Sequence, residues 1–267
     1  MALHPPSLTP EQISEAAERL TAARLTMERI DDLGECAPSD PESAHLIAEE
    51  HARQLGMKRV GWKVGCTSEE AMKILNSPQP FPGQVFDGTV YESQTLPHED
   101  IHNPLLESEF AFILGRRLAP RDSAYIVDEV CDATASVAPA FELVTSRFTD
   151  LPAMPYLSVV ADSASNGGVV IGEAVPVAAA PDLRDIEVAL TIGDEMVKTG
   201  SGSDILGNPW SSLAWLANHL SSRGVALEAG EFVLSGTCTG ALPLPMGTTA
   251  TASFTGLGNV SITRTSP

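Results

Sequence analysis

Apolar and polar positions change their period part-way along this chain. Over the first 75 residues the spacing is helical. In "SLTPEQISEAAERLTAARLTMERIDDL", Ile13, Ala16, Leu20, Leu25 and Ile30 form an apolar stripe that predicts a helix. Its start is legible, with Thr9 as cap, Pro10 at the first helical position and Gln12 completing a capping box. A second helix is expected over "SDPESAHLIAEEHARQLG", from an Asp40 cap and Pro41 to a stop at Gly56. "VGWKVG" then reads as a short strand and "TSEEAMKIL" as another helical piece. "NSPQPFPGQVFDG", rich in proline and glycine, reads as loop.

From Asp100 onward, strand-like runs dominate. The expected strands are Glu107–Leu114, Phe141–Val144, Ser158–Val160, Gly168–Ile171, Ile186–Ile192, Phe232–Ser235, Thr249–Phe254 and Val260–Thr263. Two helices interrupt them, at "SAYIVDEVCDATASV" and at "NPWSSLAWLANHLSSRG". So many strands with so few helices argue against a doubly wound sheet. They point to an α+β chain whose mostly antiparallel or mixed sheet packs on itself. We therefore expect a helical or small α+β portion over residues 1–75 and a β-rich domain over 76–267.

Composition narrows the function classes. Sixteen basic residues against 35 acidic ones give a formal charge of −19, which repels phosphate backbones and anionic lipid, so neither nucleic acid nor membrane is an expected partner. Cys36, Cys66, Cys131 and Cys238 have no CxxC spacing and read as reduced thiols of a cytoplasmic protein. "MALHPPSLTPEQ" lacks the charged start and apolar core of a secretory signal, and no run approaches the roughly 20 apolar residues of a membrane span.

The chemistry concentrates in "LLESEFAFILG". Side chains alternate faces along a strand, so Glu107 and Glu109 share one face with Ala111 and Ile113. Two carboxylates beside buried surface must share a proton or a cation. Glu142 in "PAFELVTSRF" adds a third. A proton-sharing pair would have no need of it, whereas three carboxylates on two strands, if these pair as neighbours, suit a hard divalent cation bound by oxygens. Lys63 stands mid-strand in a chain with only four lysines, as an edge lysine reaching water or as a cation close to the cluster. "GTCTG" has the letters of a nucleophile elbow around Cys238, but "ALPLPMG" cannot start the helix such an elbow needs. That stretch is better read as a turn offering amides or the Thr237 and Thr239 hydroxyls. The six histidines show no zinc spacing.

In order, "GWKVGCTSEEAM", "LLESEFAFILGRRL", "APAFELVTSRF", "VVADSASNGGVVIG", "GSGSDILGNPWSSLAWLANHL" and "LEAGEFVLSGTCTGALPLPMGTTATASFTGLGNVSI" resemble the fumarylacetoacetate hydrolase superfamily. The resemblance is to its branch of 2-oxopent-4-enoate hydratases and 4-oxalocrotonate decarboxylases, and it runs from about Gly61 to Ile262. It implies a mixed β-sandwich roll with an N-terminal helical portion, usually in a homo-oligomer. It also implies Mg²⁺ or Mn²⁺ on Glu107, Glu109 and Glu142, Lys63 as the active-site lysine, and Asp162 and Ser165 near the substrate. The implied substrate is a short unsaturated 2-oxo acid of aromatic-compound breakdown, to which a hydratase adds water. A decarboxylase of a 2-oxo dicarboxylic acid, with Arg147 a candidate for its distal carboxylate, is the alternative. A subunit that serves only as an assembly partner is the non-catalytic one. The C–C hydrolases of the superfamily carry a histidine just after the lysine strand, and "CTSEEAMK" has none. Many hydratases read Pro-Asp-Phe-Gly where this chain has "PFPG". That departure favours the decarboxylase unless Asp87 stands in.

Overall fold

A computed structural model describes residues 5–91, 95–97, 101 and 103–267. His4, His98 and His102 of the histidine argument, and the first four residues of the N-terminal segment, lie outside these. The helices are α1 (Pro10–Thr26), α2 (Pro41–Leu55), α3 (Glu69–Ile74), α4 (Val127–Ala133), α5 (Tyr156–Ala161) and α6 (Pro209–Ser222). The strands up to the chain's midpoint are β1 (Arg59–Gly65), β2 (Phe81–Phe86), β3 (Thr95–Leu96), β4 (Leu105–Leu114) and β5 (Thr134–Val144). Then follow β6 (Asn166–Ile171), β7 (Val175–Pro176), β8 (Glu187–Ile192) and β9 (Glu195–Ser201). The last are β10 (Phe232–Thr237), β11 (Leu242–Pro243), β12 (Thr249–Phe254) and β13 (Gly258–Arg264).

These strands make two sheets. The larger runs β2-β1-β10-β4-β5-β6, with β11 on β4 and β7 on β5, and the smaller runs β3-β13-β12-β8-β9. Both are mixed, because β1 pairs with β10 and β13 with β3 in parallel while the other pairs are antiparallel. The expected α+β class, with a mixed sheet packed on a second sheet, is what forms. Alternation along β4 drives the packing. Phe110, Phe112 and Leu114 point into the main core, which Val188, Leu190, Ala250, Ala252, Phe254, Val260 and Ile262 of the smaller sheet also build, with Phe112 against Trp210 of α6. Phe110 and Phe254 meet edge to face at 5.2 Å. The reverse face of the larger sheet carries smaller side chains, among them Ala111, Ala138, Ala140 and Leu234.

The Thr9 and Asp40 caps form as the sequence predicts. Helix α1 stops earlier than its stripe implies: Met27 turns left-handed, Leu25 is exposed, and Ile30 instead bridges to Phe148. Three further expectations are corrected. Ser158–Val160 lies in α5, a short apolar run that periodicity cannot assign between helix and strand. The helix expected through Val137 ends at Ala133, and β5 begins at once. Pro139 is tolerated in β5 because it stands where the partner on that side changes from β7 to β6. The expected loop around "FPGQVF" is β2, an edge strand in which Pro82 costs little. Strand β9, polar and mostly exposed, gave no apolar signal. Strand β1, within the N-terminal 75 residues, is an interior strand of the larger sheet.

Helices α1 and α2 pack together through Ala16, Ala17, Leu20 and Ile47. His51 on α2 is buried there, with Nδ1 2.9 Å from Thr21 Oγ1. His45 joins α2 to α6, its Nε2 3.1 Å from that of His219. Burial lowers all three, to about 2 for His45, about 3 for His51 and about 4 for His219, with nearby Arg223 adding to His45 and His219 and Arg147 to His51. The folded state thus refuses protons that the unfolded chain takes up below its ordinary histidine value of about 6.5, so these groups lower stability as pH falls. His51→Gln is expected to make the decline between pH 6.5 and 4 shallower by up to about 1.4 kcal/mol per pH unit, read from denaturant unfolding at several pH values.

Candidate active site

The antiparallel register sets Glu107 of β4 directly opposite Glu142 of β5, and residues so paired project from the same face. Glu109 follows on that face, opposite Ala140. One carboxylate oxygen from each of the three lies within 4.8 Å of the other two. Glu109 and Glu142 are fully buried. Lys63 reaches the same face through the register, since it pairs with Leu234 of β10 and Leu234 with Ala111 of β4. Its Nζ lies 3.2 Å from Glu142 Oε2 and donates to the Ala164 carbonyl at 3.3 Å. The structure therefore brings together the four residues expected to carry the chemistry.

The electrostatics are those of a site short of positive charge. Burial, and then Glu142, push the Glu107 carboxyl up to about 7 against the pull of Lys63. Burial, with Glu142 and Glu107, holds Glu109 well above the usual carboxylate range. Burial alone would lower the Lys63 ammonium, but Glu142, Glu107 and Glu109 outweigh it and hold it above its ordinary value. With all three carboxylates ionised against one ammonium, two negative charges would remain, the charge a single divalent cation neutralises, and without such a cation the raised carboxyls hold protons instead. Glu109 Oε1 is buried with no hydrogen-bond partner among the described residues, and its Oε2 accepts from the Gly236 amide at 2.8 Å. An oxygen left so, on a group at this cost of burial, fits a cation ligand.

Backbone features shape the remainder. Ser163, Ala164 and Ser165 are three successive non-glycine residues in the left-handed region, with φ of 48°, 55° and 58°. Each such residue costs about 1–2 kcal/mol, so the surroundings must hold the turn. Arg147 does so. Its Nε donates to Asp162 Oδ1 at 2.5 Å, its backbone N–H to Oδ2 at 3.2 Å, and its Nη2 to the Asp162 carbonyl at 3.1 Å. The turn ends in Asn166, whose side-chain amide donates to Glu142 Oε1 at 3.3 Å. Ser163 and Ser165 are buried, and neither hydroxyl has a hydrogen-bond partner among the described residues.

Of the expected substrate contacts, Asp162 has both carboxylate oxygens engaged by Arg147, so the distal-carboxylate role considered for Arg147 would require that pair to open. Ser165 sits in the strained turn. Thr239 is buried, with Oγ1 accepting from the Ser108 amide at 3.3 Å, which lays the 236–240 turn along β4 between Glu107 and Glu109. Cys238 in that turn is buried, and burial with Glu109 and Asp204 nearby pushes its thiol well above its ordinary value, the opposite of an activated nucleophile. Asp87 is exposed beyond the end of β2 and takes the Gly88 amide, remote along the hairpin from the Lys63–Gly83 pair.

Sequence reasoning missed Asn166 and Gly83, and it read the 236–240 turn as a source of amides without singling out Gly236. A Cβ on Gly83 would stand 2.5 Å from the Ser163 carbonyl oxygen and 2.9 Å from Lys63 Cδ, so this glycine is the passage for the lysine. Gly236 combines φ of +94° with a Cβ position 2.2 Å from Thr67 Oγ1. Gly83→Ala is expected to cost about 1–3 kcal/mol of stability by overpacking and to reduce turnover with it, checked by thermal melting and steady-state rates.

Residues 50–263 match the family model described as fumarylacetoacetate (FAA) hydrolase C-terminal. A 2-keto-4-pentenoate hydratase of Paraburkholderia xenovorans (strain LB400) is 32% identical over 258 residues, covering 95% of each chain. A 4-oxalocrotonate decarboxylase of Pseudomonas sp. (strain CF600) is 31% identical, over 96% of this chain and 97% of the other. The solved 4-oxalocrotonate decarboxylase from Pseudomonas putida G7, complexed with magnesium and adipate, superposes with a TM-score of 0.90 at 29% identity, over 97% of this chain and all of that one. With that fold, this strand register and these relatives, the chain belongs to the fumarylacetoacetate hydrolase family.

Proposed function

We propose that this chain is a divalent-cation-dependent hydro-lyase that adds water to a short unsaturated 2-oxo acid of the 2-hydroxypenta-2,4-dienoate kind, in the breakdown of aromatic compounds. The observation that carries the reading is the closed cluster of Glu107, Glu109 and Glu142 with Lys63 on its edge. Mg²⁺ or Mn²⁺ held there by the three glutamates would supply Lewis acidity toward the carboxylate and 2-oxygen of the substrate. Lys63, kept protonated by its neighbours, is placed to orient the substrate carboxylate or to deliver a proton as the dienol becomes the ketone. Glu142 and the Ala164 carbonyl fix its Nζ from two sides. The buried Ser163 and Ser165 hydroxyls remain available to a bound ligand. Homo-oligomeric assembly and a cytoplasmic location belong to the same proposal; among the described residues no helix is long and apolar enough to cross a membrane.

Decarboxylation of 2-oxohex-3-enedioate on the same residues is the second reading. It is favoured by the 0.90 TM-score to a decarboxylase solved with adipate, itself a six-carbon diacid, and by the absence of an aspartate in "PFPG". The two separate in one assay. The Mg²⁺-loaded protein is mixed with each substrate while dienol absorbance and CO₂ release are followed. Consumption of the dienol without CO₂, giving a hydroxylated keto acid, is the expected result. CO₂ from the diacid alone would replace the hydratase with the decarboxylase, and inactivity on both would overturn the lyase reading.

A further inference from the structure

On a chain of net charge −19, and away from the carboxylate cluster, three arginines line one cleft. Between the end of α1 and the connection from β5 to α5 lies a cleft of about 60 Å³, lined among others by Arg24, Arg29, Ser146, Arg147 and Gly167. Arg24 and Arg147 converge on a single acceptor, the Asn166 carbonyl, at 3.0 and 3.1 Å. Two cations on one neutral oxygen repel each other. Burial, and then Arg147, press Arg24 down to about 9. Asp162, the carboxylate that Arg147 binds, has both oxygens occupied by Arg147 itself. Arg29 Nε is buried and has no hydrogen-bond partner among the described residues. Of the three guanidinium groups that line the cleft, Arg147 takes Asp162, Arg24 shares the Asn166 carbonyl with it, and Arg29 has a buried donor to spare among the described residues.

We propose that this cleft binds a small oxyanion, held by Arg24 and Arg29 and by the Ser146 hydroxyl. The chemistry of the donors selects this ligand class, because guanidinium groups bind the paired oxygens of carboxylate or phosphate in a planar fork. Ser146 Oγ accepts from the Phe148 amide at 3.0 Å, which leaves its own proton to donate. The space exceeds the roughly 10–15 Å³ of such volume that one water needs and admits an ion of a few heavy atoms, not a nucleotide. The site is separate from the carboxylate cluster yet touches the same residue. Asn166 presents its carbonyl to the arginines and its side-chain amide to Glu142. The assignment does not rest on the proposed activity.

The test is calorimetric titration at constant ionic strength, with chloride as the background anion and with inorganic phosphate and acetate as separate probes. Wild-type protein, Arg29→Gln and Glu109→Gln are compared in the presence of a chelator, each verified as folded by circular dichroism. Saturable binding of one probe is expected, weakened about tenfold or more in Arg29→Gln and retained in Glu109→Gln. Tighter binding of phosphate would assign the site to a phosphate source, and tighter binding of acetate to a carboxylate source. No saturable binding of either probe, or equal binding by Arg29→Gln, would overturn the proposal. Binding lost in Glu109→Gln would also overturn it, by placing the anion at the carboxylate cluster.

Discussion

Glu109→Gln is expected to lose metal-dependent turnover by a factor on the order of 10² or more while its metal-free fold becomes more stable. The first half follows from removing a proposed ligand, since even partners one bond-shell further from a metal cost 10- to 100-fold when lost. The second half follows from the burial. Glu109 is held well above the usual carboxylate range because its charge is buried and faces Glu142 and Glu107. A neutral amide of the same shape removes that repulsion and keeps an oxygen for the Gly236 amide. Thermal melting with a chelator and with excess Mg²⁺ checks both halves. The variant should melt higher than wild type without metal and gain less on adding it. Normal turnover with an unchanged Mg²⁺ response would refute the proposed ligand set.

Asp162→Ala is expected to destabilise the fold by about 3–5 kcal/mol, because Arg147, 4% exposed, would keep its buried charge with only carbonyl partners. Replacing both members, Asp162→Ala with Arg147→Met, should cost less than the single change, since no unpaired charge is then left inside. A double-mutant cycle by denaturant unfolding measures the difference. The turn of Ser163, Ala164 and Ser165 is the part most exposed to the loss. Its left-handed backbone is strained, and its Ala164 carbonyl positions Lys63. Turnover is therefore expected to fall in Asp162→Ala under conditions where the protein remains folded. A variant with wild-type stability would show that the Arg147 pair does not hold the turn.

Much of this was written in local pattern. The caps of α1 and α2 were legible because capping is decided by residues three positions apart. The shared face of Glu107 and Glu109 was legible because strand alternation is fixed by the backbone. So was the improbability of Cys238 as nucleophile, from the absence of a helix after it. Where pattern misled, another constraint intervened. Pro82 made its stretch read as loop, yet it lies in an edge strand, and Pro139 is accommodated at a change of partner; neither circumstance is visible before the sheet order is known. Ser158–Val160 had apolar composition but too few residues to set a period.

By itself the sequence determined which residues carry charge into apolar strands, and so the kind of chemistry this protein supports. Tertiary structure decided what those charges meet. Only the register of β4 on β5 puts Glu142 opposite Glu107, and only β10, lying between β1 and β4, brings Lys63 to that face. The partners that complete the site are a backbone carbonyl at Ala164, an amide at Gly236 and the empty side of Gly83. Any residue type carries the first two, and the third is the lack of a side chain. Their roles come from position rather than identity, because a hydrogen bond or a steric passage depends on where the folded chain places the group.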